Sequence, residues 1–219
     1  YVTKDDARFA LQKMQNFYRE LNELYSSHGF NLTDNLGRRN ILMSHAQEAF
    51  FAEALKRKYP GTRNDGATGE PDIFIPELNR ELECKLTSRH SSGAISFQSD
   101  FETLHKKGSL DYLYIISSED FNSFNVLYYR GLTVDDFRNL SPGSRGKVQL
   151  KKHVANSKLT VLFGNVEDIR EGYIRNISQQ INSSESTFTA KHKKLEERLR
   201  YWKNANSKYK FHTEALNAC

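Results

Sequence analysis

The 219-residue chain is poor in cysteine and proline and has no long apolar run, and each shortage removes a class of protein. Two cysteines, Cys84 and Cys219, cannot build a disulfide framework, so a reducing compartment is expected, with the cytoplasm as the default. No stretch approaches the roughly 20 apolar residues that a bilayer-spanning helix needs, and the mean hydropathy is −0.71. A membrane protein is therefore not expected, nor is a secretory leader. The seven histidines are scattered, with no HxxxH pair and no cysteine nearby at zinc-ligand spacing. Gly143 to Lys147 carries glycines and cations but lacks the spacing of a phosphate-binding loop.

What is present is charge, unevenly distributed. The chain holds 32 basic and 27 acidic side chains, a net +5. Residues 191–219 contain 8 basic and 3 acidic residues, which leaves 24 of each in residues 1–190. The whole excess therefore lies at the C-terminal end, where lysines and arginines alternate with Tyr201, Trp202, Tyr209 and Phe211. Such a segment could follow a phosphate backbone, or it could be a solvated helix face.

Apolar spacings of three and four from Ala10 to Leu24 predict an amphipathic helix. A second helix is predicted over 41–59, ended by Pro60-Gly61. Turn residues 61–69 lead into short strands at 73–75 and 80–86, read as a hairpin. A helix over 97–106, strands at 112–116, 124–129 and 159–163, a short helix at 134–139 and helices beyond 166 complete the pattern. The order predicts an α/β (α+β) protein with a central mixed sheet of four to six strands flanked by helices. One domain over 1–219 is expected, with a core of about 41–165 and a basic helical segment of about 166–219.

Within the hairpin, Pro71-Asp72 is followed by Glu83-Cys84-Lys85, the only acidic-x-Lys triplet in the chain. Strand geometry puts Glu83 and Lys85 on one face and Cys84 on the other. If the hairpin folds back, Asp72 approaches the same face, so that two carboxylates and one ammonium converge. Paired carboxylates suit Mg²⁺, which binds through one or two carboxylates, waters and substrate phosphates. A cation held there lowers the pKa of a bound water and stabilises charge in phosphoryl displacement. Cys84 reads as a small core residue rather than a nucleophile.

Gly69-Glu70-Pro71-Asp72 through Glu83-Cys84-Lys85-Leu86 resembles the PD-(D/E)xK nuclease core, which many type II restriction endonucleases share. The order of elements over 41–116 is similar to that core. The resemblance implies a restriction-endonuclease-like fold in which Asp72 and Glu83 ligate Mg²⁺, the Cys84 backbone carbonyl adds a ligand, and Lys85 lies beside the attacking water. Mn²⁺ is expected to substitute, and Ca²⁺ to bind without cleavage. Members often place a glutamate on the preceding helix; Glu48 and Glu53 are the candidates, and Glu48, on the face with Ile41, Phe51, Ala52 and Leu55, is preferred. Gln98, early in the following helix, has a counterpart near the active site of some members.

The resemblance implies a type II restriction endonuclease, hydrolysing phosphodiesters of double-stranded DNA at a short site, as a homodimer matching a two-fold site. A repair, junction-resolving or modification-dependent nuclease with the same core is the alternative, as is a non-enzymatic DNA-binding module. Arg63, Asn64, Arg89, Arg145 and Lys147, with Arg38, Arg39 and His90, are candidate DNA contacts.

Overall fold

The computed structural model of the protein describes residues 1–64, 70–88, 95–151, 155–182 and 190–204. The chain divides into two compact units, Tyr1–Ser88 with Ser96–Phe163, and Arg89–Ile95 with Gly164–Cys219.

The first unit starts with α1 (Lys4–Ser27) and α2 (Leu36–Lys56). Both begin earlier than the apolar spacing alone predicts, because polar side chains start them. Thr3 accepts a hydrogen bond from the Asp6 N–H while Asp6 accepts one from the Thr3 N–H, a reciprocal cap. Asn35 accepts from the Arg38 N–H (3.0 Å). Gly37, which reads as a loop residue, lies inside the first turn of α2.

Strands β1 (Ile73–Ile75) and β2 (Arg80–Ser88) form the expected antiparallel hairpin, Ile73 facing Leu82. A 3₁₀ turn at Pro76–Leu78 joins them and closes on Asn79, whose φ of 47° is a left-handed conformation that asparagine tolerates. Then come β3 (Gln98–Asp100), α3 (Phe101–Lys107), β4 (Leu110–Ser117), β5 (Phe124–Leu132), β6 (Lys147–Gln149) and β7 (Leu159–Phe163). The predicted helix over 97–106 is thus a strand followed by a shorter helix, capped by Asp100 accepting from the Thr103 N–H (3.1 Å). The predicted helix at 134–139 is a single 3₁₀ turn, Val134–Asp136.

The main sheet has the order β1-β2-β4-β5-β7, with β2 and β4 parallel and the other neighbours antiparallel. It is the mixed sheet flanked by helices that the pattern predicts. One face meets α1 and α2 in a core that includes Met14, Met43, Phe51, Leu82, Cys84, Leu113 and Ile115. The opposite face carries an aromatic core: Phe97, Tyr112, Tyr114, Tyr129 and Phe137 lie with ring centroids 4.6 to 6.5 Å apart. Above it β3 and β6 pair as a two-stranded sheet, tied down where the Ser99 and Tyr112 hydroxyls share a 2.5 Å hydrogen bond.

Arg39 joins α2 to the C-terminal ends of the parallel strands. It is 1% exposed, so its candidacy as a DNA-reading residue is withdrawn. Its guanidinium donates to Ser88 Oγ (2.6 Å), Ser117 Oγ (2.8 Å) and the carbonyls of Ser118 and Glu119, and lies over the Phe121 ring. Among the described residues, no carboxylate forms an ion pair with it. Oxygen acceptors receive both terminal nitrogens of this buried cation, while its buried Nε has no hydrogen-bond partner, and loss of the side chain would leave several buried acceptors unpaired.

In the second unit, α4 (Val166–Asn182) and α5 (Ala190–Asn204) pack on each other. Arg170 of α4 pairs with Glu167 (2.7 Å) and donates to the carbonyls of Trp202 and Lys203, capping the end of α5. Trp202 is buried, while Lys193, Lys194, Arg198 and Arg200 are exposed; Lys208 and Lys210 lie outside the described residues. Among the described residues, no helix is long and apolar enough to cross a membrane.

Arg39→Met is expected to lower stability by about 2–4 kcal/mol in urea denaturation, with Arg39→Lys recovering only part of the loss. A cost below about 0.5 kcal/mol would show that the bridge contributes nothing.

Candidate active site

The hairpin register explains how the proposed residues meet. Ile73 faces Leu82, so one step outward Asp72 arrives opposite Glu83. Asp72 Oδ2 accepts a hydrogen bond from the Cys84 N–H (2.6 Å), which fixes its carboxylate to β2. Alternation along β2 sends Cys84 into the helical core and Glu83 and Lys85 to the aromatic face, beside Tyr112 and Tyr114 of β4. Lys85 Nζ lies 2.5 Å from Glu83 Oε1 and 3.9 Å from Asp72 Oδ2. The side chains of Asp72, Glu83 and Lys85 are 19%, 11% and 34% exposed, so the cluster is largely desolvated yet open to solvent at the lysine.

Electrostatics places Glu48 in the same group. Burial, then the charge of Asp72, raises its carboxyl to about 7, with Lys85 opposing and Glu83 adding to the rise. Glu53 instead pairs with Lys13 of α1 at 2.5 Å. Asp72 itself is pushed up to about 6 by burial and by Glu83. For Lys85, burial favours the neutral amine, but Glu83 and Asp72 outweigh it and the ammonium is held above its ordinary range. Burial, followed by the charges of Asp72, Glu48 and Glu83, pushes the Cys84 thiol well up, which keeps it an inert core group.

Two carboxylates thus contact one ammonium, with Glu48 coupled to them electrostatically. With all four ionised the local charge is −2; burial first, and neighbouring carboxylates second, raise the carboxyls of Glu48 and Asp72. A divalent cation would offset that charge, and the carboxylates of Asp72 and Glu83 are the oxygen donors that could hold one. Among the described residues, no group of three His, Cys, Asp or Glu side chains is arranged to hold a metal by itself.

The other candidates are scattered. Gln98 lies on β3 with an exposed side chain, rather than early in a helix, and faces away from the Ser99–Tyr112 contact. Lys147 pairs with Asp100 (3.3 Å), and exposed Arg145 sits at the turn before β6 with a φ of 51°. The Arg63 backbone exchanges hydrogen bonds with Phe74, two residues from Asp72, and its guanidinium lies 5.2 Å from that ring. Asn64 follows, half-buried; exposed Arg38 starts α2; Arg89 and His90 lie outside the described residues. Two features were missed in the sequence: Tyr112, opposite Glu83 in the parallel register, and Lys107 of α3, paired with Glu70 (2.9 Å) and Glu81 (2.7 Å). The period of two in Glu81-Leu82-Glu83 and Glu70-Pro71-Asp72 is the signal that could have drawn attention to the second pair.

No family model, curated protein or solved structure matches the chain.

A raised carboxyl pKa has a definite consequence for stability. Folded Asp72 binds a proton more tightly than the unfolded chain does, so its contribution is present below about pH 4 and is lost as pH rises through about 6. In EDTA, Asp72→Asn is accordingly expected to be more stable than the parent at pH 8, by about 1–2 kcal/mol, with the difference vanishing near pH 4. Denaturant melts at the two pH values check this. A variant less stable than the parent at pH 8 would mean that the carboxylate is not electrostatically frustrated.

Proposed function

We propose that the protein is a divalent-cation-dependent endodeoxyribonuclease of the PD-(D/E)xK type. The observation that carries this reading is the convergence of Asp72 and Glu83 on a single ammonium, Lys85, at a solvent-reached edge of the sheet, with the half-buried Glu48 coupled to them electrostatically. More particularly, we infer a type II restriction endonuclease, cutting both strands of DNA at a short sequence as a homodimer. That narrower reading rests on the motif and its spacing.

Asp72 and Glu83 would hold Mg²⁺, with the Cys84 carbonyl as a further ligand. The ion, when bound, supplies Lewis acidity toward the scissile phosphate and lowers the pKa of a coordinated water. The protein's own groups do the rest. Lys85, kept protonated by Glu83, orients the attacking water and offsets negative charge developing on the phosphate oxygens. Glu48, with a carboxyl near pKa 7, is poised to take up a proton from that water at neutral pH. The Cys84 N–H holds Asp72 in a single rotamer, so the ligand carboxylate is preorganised before substrate arrives.

Asp72→Ala and Glu83→Ala should each abolish cleavage of mixed duplex DNA in Mg²⁺ while leaving DNA affinity in Ca²⁺ intact. Lys85→Ala should slow the single-turnover rate by about 10²–10⁴-fold at unchanged affinity. Retained cutting by both carboxylate variants would refute the site. A pure affinity loss in Lys85→Ala would make that residue a phosphate contact instead.

A further inference from the structure

Resting on the nuclease reading, we propose that Lys107 is a positioning residue, a clasp that holds the Asp72 ligand in register with Glu83. On β2, Glu81 lies two residues before Glu83 and so on the same face. On the incoming segment, Glu70 lies two residues before Asp72. An extended continuation of β1 would put Glu70 four residues, roughly 13 Å, along the sheet from the position opposite Glu81. The chain instead bends at Glu70 and at Asp72, and a single ammonium joins the two glutamates: Lys107 Nζ is 2.9 Å from Glu70 Oε2 and 2.7 Å from Glu81 Oε1. The lysine side chain is only 18% exposed.

The residue between anchor and ligand is Pro71, which is buried and whose ring fixes φ near −65°. Fixing Glu70 therefore leaves the Asp72 backbone little freedom, and the carboxylate is delivered to the Cys84 N–H. Lys107 is the last residue of α3, and Gly108, with a φ of 74°, ends the helix immediately after it. The clasp thus makes the Asp72 position depend on the docking of α3, an element that contributes no candidate ligand. Lys85 and Lys107 have separate duties: one ammonium serves the reacting pair Asp72 and Glu83, and the other serves their neighbours Glu70 and Glu81.

The test compares the parent with Lys107→Met, Lys107→Arg and Glu70→Gln. Mn²⁺ binding to the free protein is followed by electron paramagnetic resonance, alongside the Mg²⁺ dependence of cleavage and DNA affinity in Ca²⁺. Lys107→Met and Glu70→Gln should each weaken Mn²⁺ binding and raise the half-saturating Mg²⁺ concentration by about 10-fold or more, with DNA affinity within about two-fold of the parent. Lys107→Arg should restore most of the metal response. Unchanged Mn²⁺ affinity in Glu70→Gln, even if Lys107→Met unfolds, overturns the clasp. So does a loss confined to DNA affinity, which would make Lys107 a phosphate contact. A parent protein that cuts no DNA in Mg²⁺ overturns the nuclease reading itself, whereas a parent that cuts while the variants keep its metal response overturns the clasp alone.

Discussion

Like charges brought together out of water repel, and the organisation of the first unit is arranged around one such gathering. Asp72, Glu83 and Glu48 come from three elements, β1's leading edge, β2 and α2, and one ammonium serves them all. A fold selected for stability alone would separate these carboxylates or add a second cation. The protein instead holds them in place by main-chain devices that do not neutralise them: the Ile73–Leu82 register, the Cys84 N–H on Asp72, and the parallel pairing of β2 with β4. On the reading proposed above, the unneutralised charge would be the functional resource, because it is complementary to a divalent cation.

The two faces of the sheet divide the work. Cys84 points into the α1–α2 core, which anchors β2, while its neighbours Glu83 and Lys85 point the other way, against tyrosines of β4. Packing on one face therefore sets the chemistry on the other with the precision of a strand register, where a slip of one residue would exchange Glu83 for Cys84. Arg39 secures the far ends of β2 and β4 through Ser88 and Ser117, so the parallel pair is pinned beyond the site as well as at it.

Much of this was legible in the sequence. The hairpin and the opposite orientation of Cys84 follow from a period of two, and the preference for Glu48 over Glu53 follows from a period of 3.6. Both are local regularities, and the hairpin and the placement of Cys84 in the helical core are found as expected. What failed had non-local causes. The segment at 97–106 is predicted as a helix, but Gln98–Asp100 pairs with Lys147–Gln149, almost 50 residues away, and that pairing outweighs local propensity. Arg39 looked like a surface cation because nothing local marks the hydroxyls and carbonyls, contributed by residues 88 and 117–119, that receive it. Lys107 went unnoticed for the same reason: its partners Glu70 and Glu81 are 37 and 26 residues distant. Ile41, counted on the inward face of α2, is 74% exposed, since the buried stripe instead follows Arg39, Met43, Gln47 and Phe51.

The net charge acquires a different sense in this light. Residues 1–190 balance at 24 of each sign, yet that balance is not local, because Asp72 and Glu83 gather about the single ammonium of Lys85. The basic excess lies in the C-terminal residues, with Lys193, Lys194, Arg198 and Arg200 exposed along α5. The central claim, hydrolysis of DNA at a defined sequence, is tested most directly by incubating the purified protein with mixed genomic DNA and Mg²⁺ and sequencing the fragment ends. The account predicts one short sequence common to the termini and intact DNA in EDTA; unbroken DNA in Mg²⁺, or ends without a shared sequence, would contradict it.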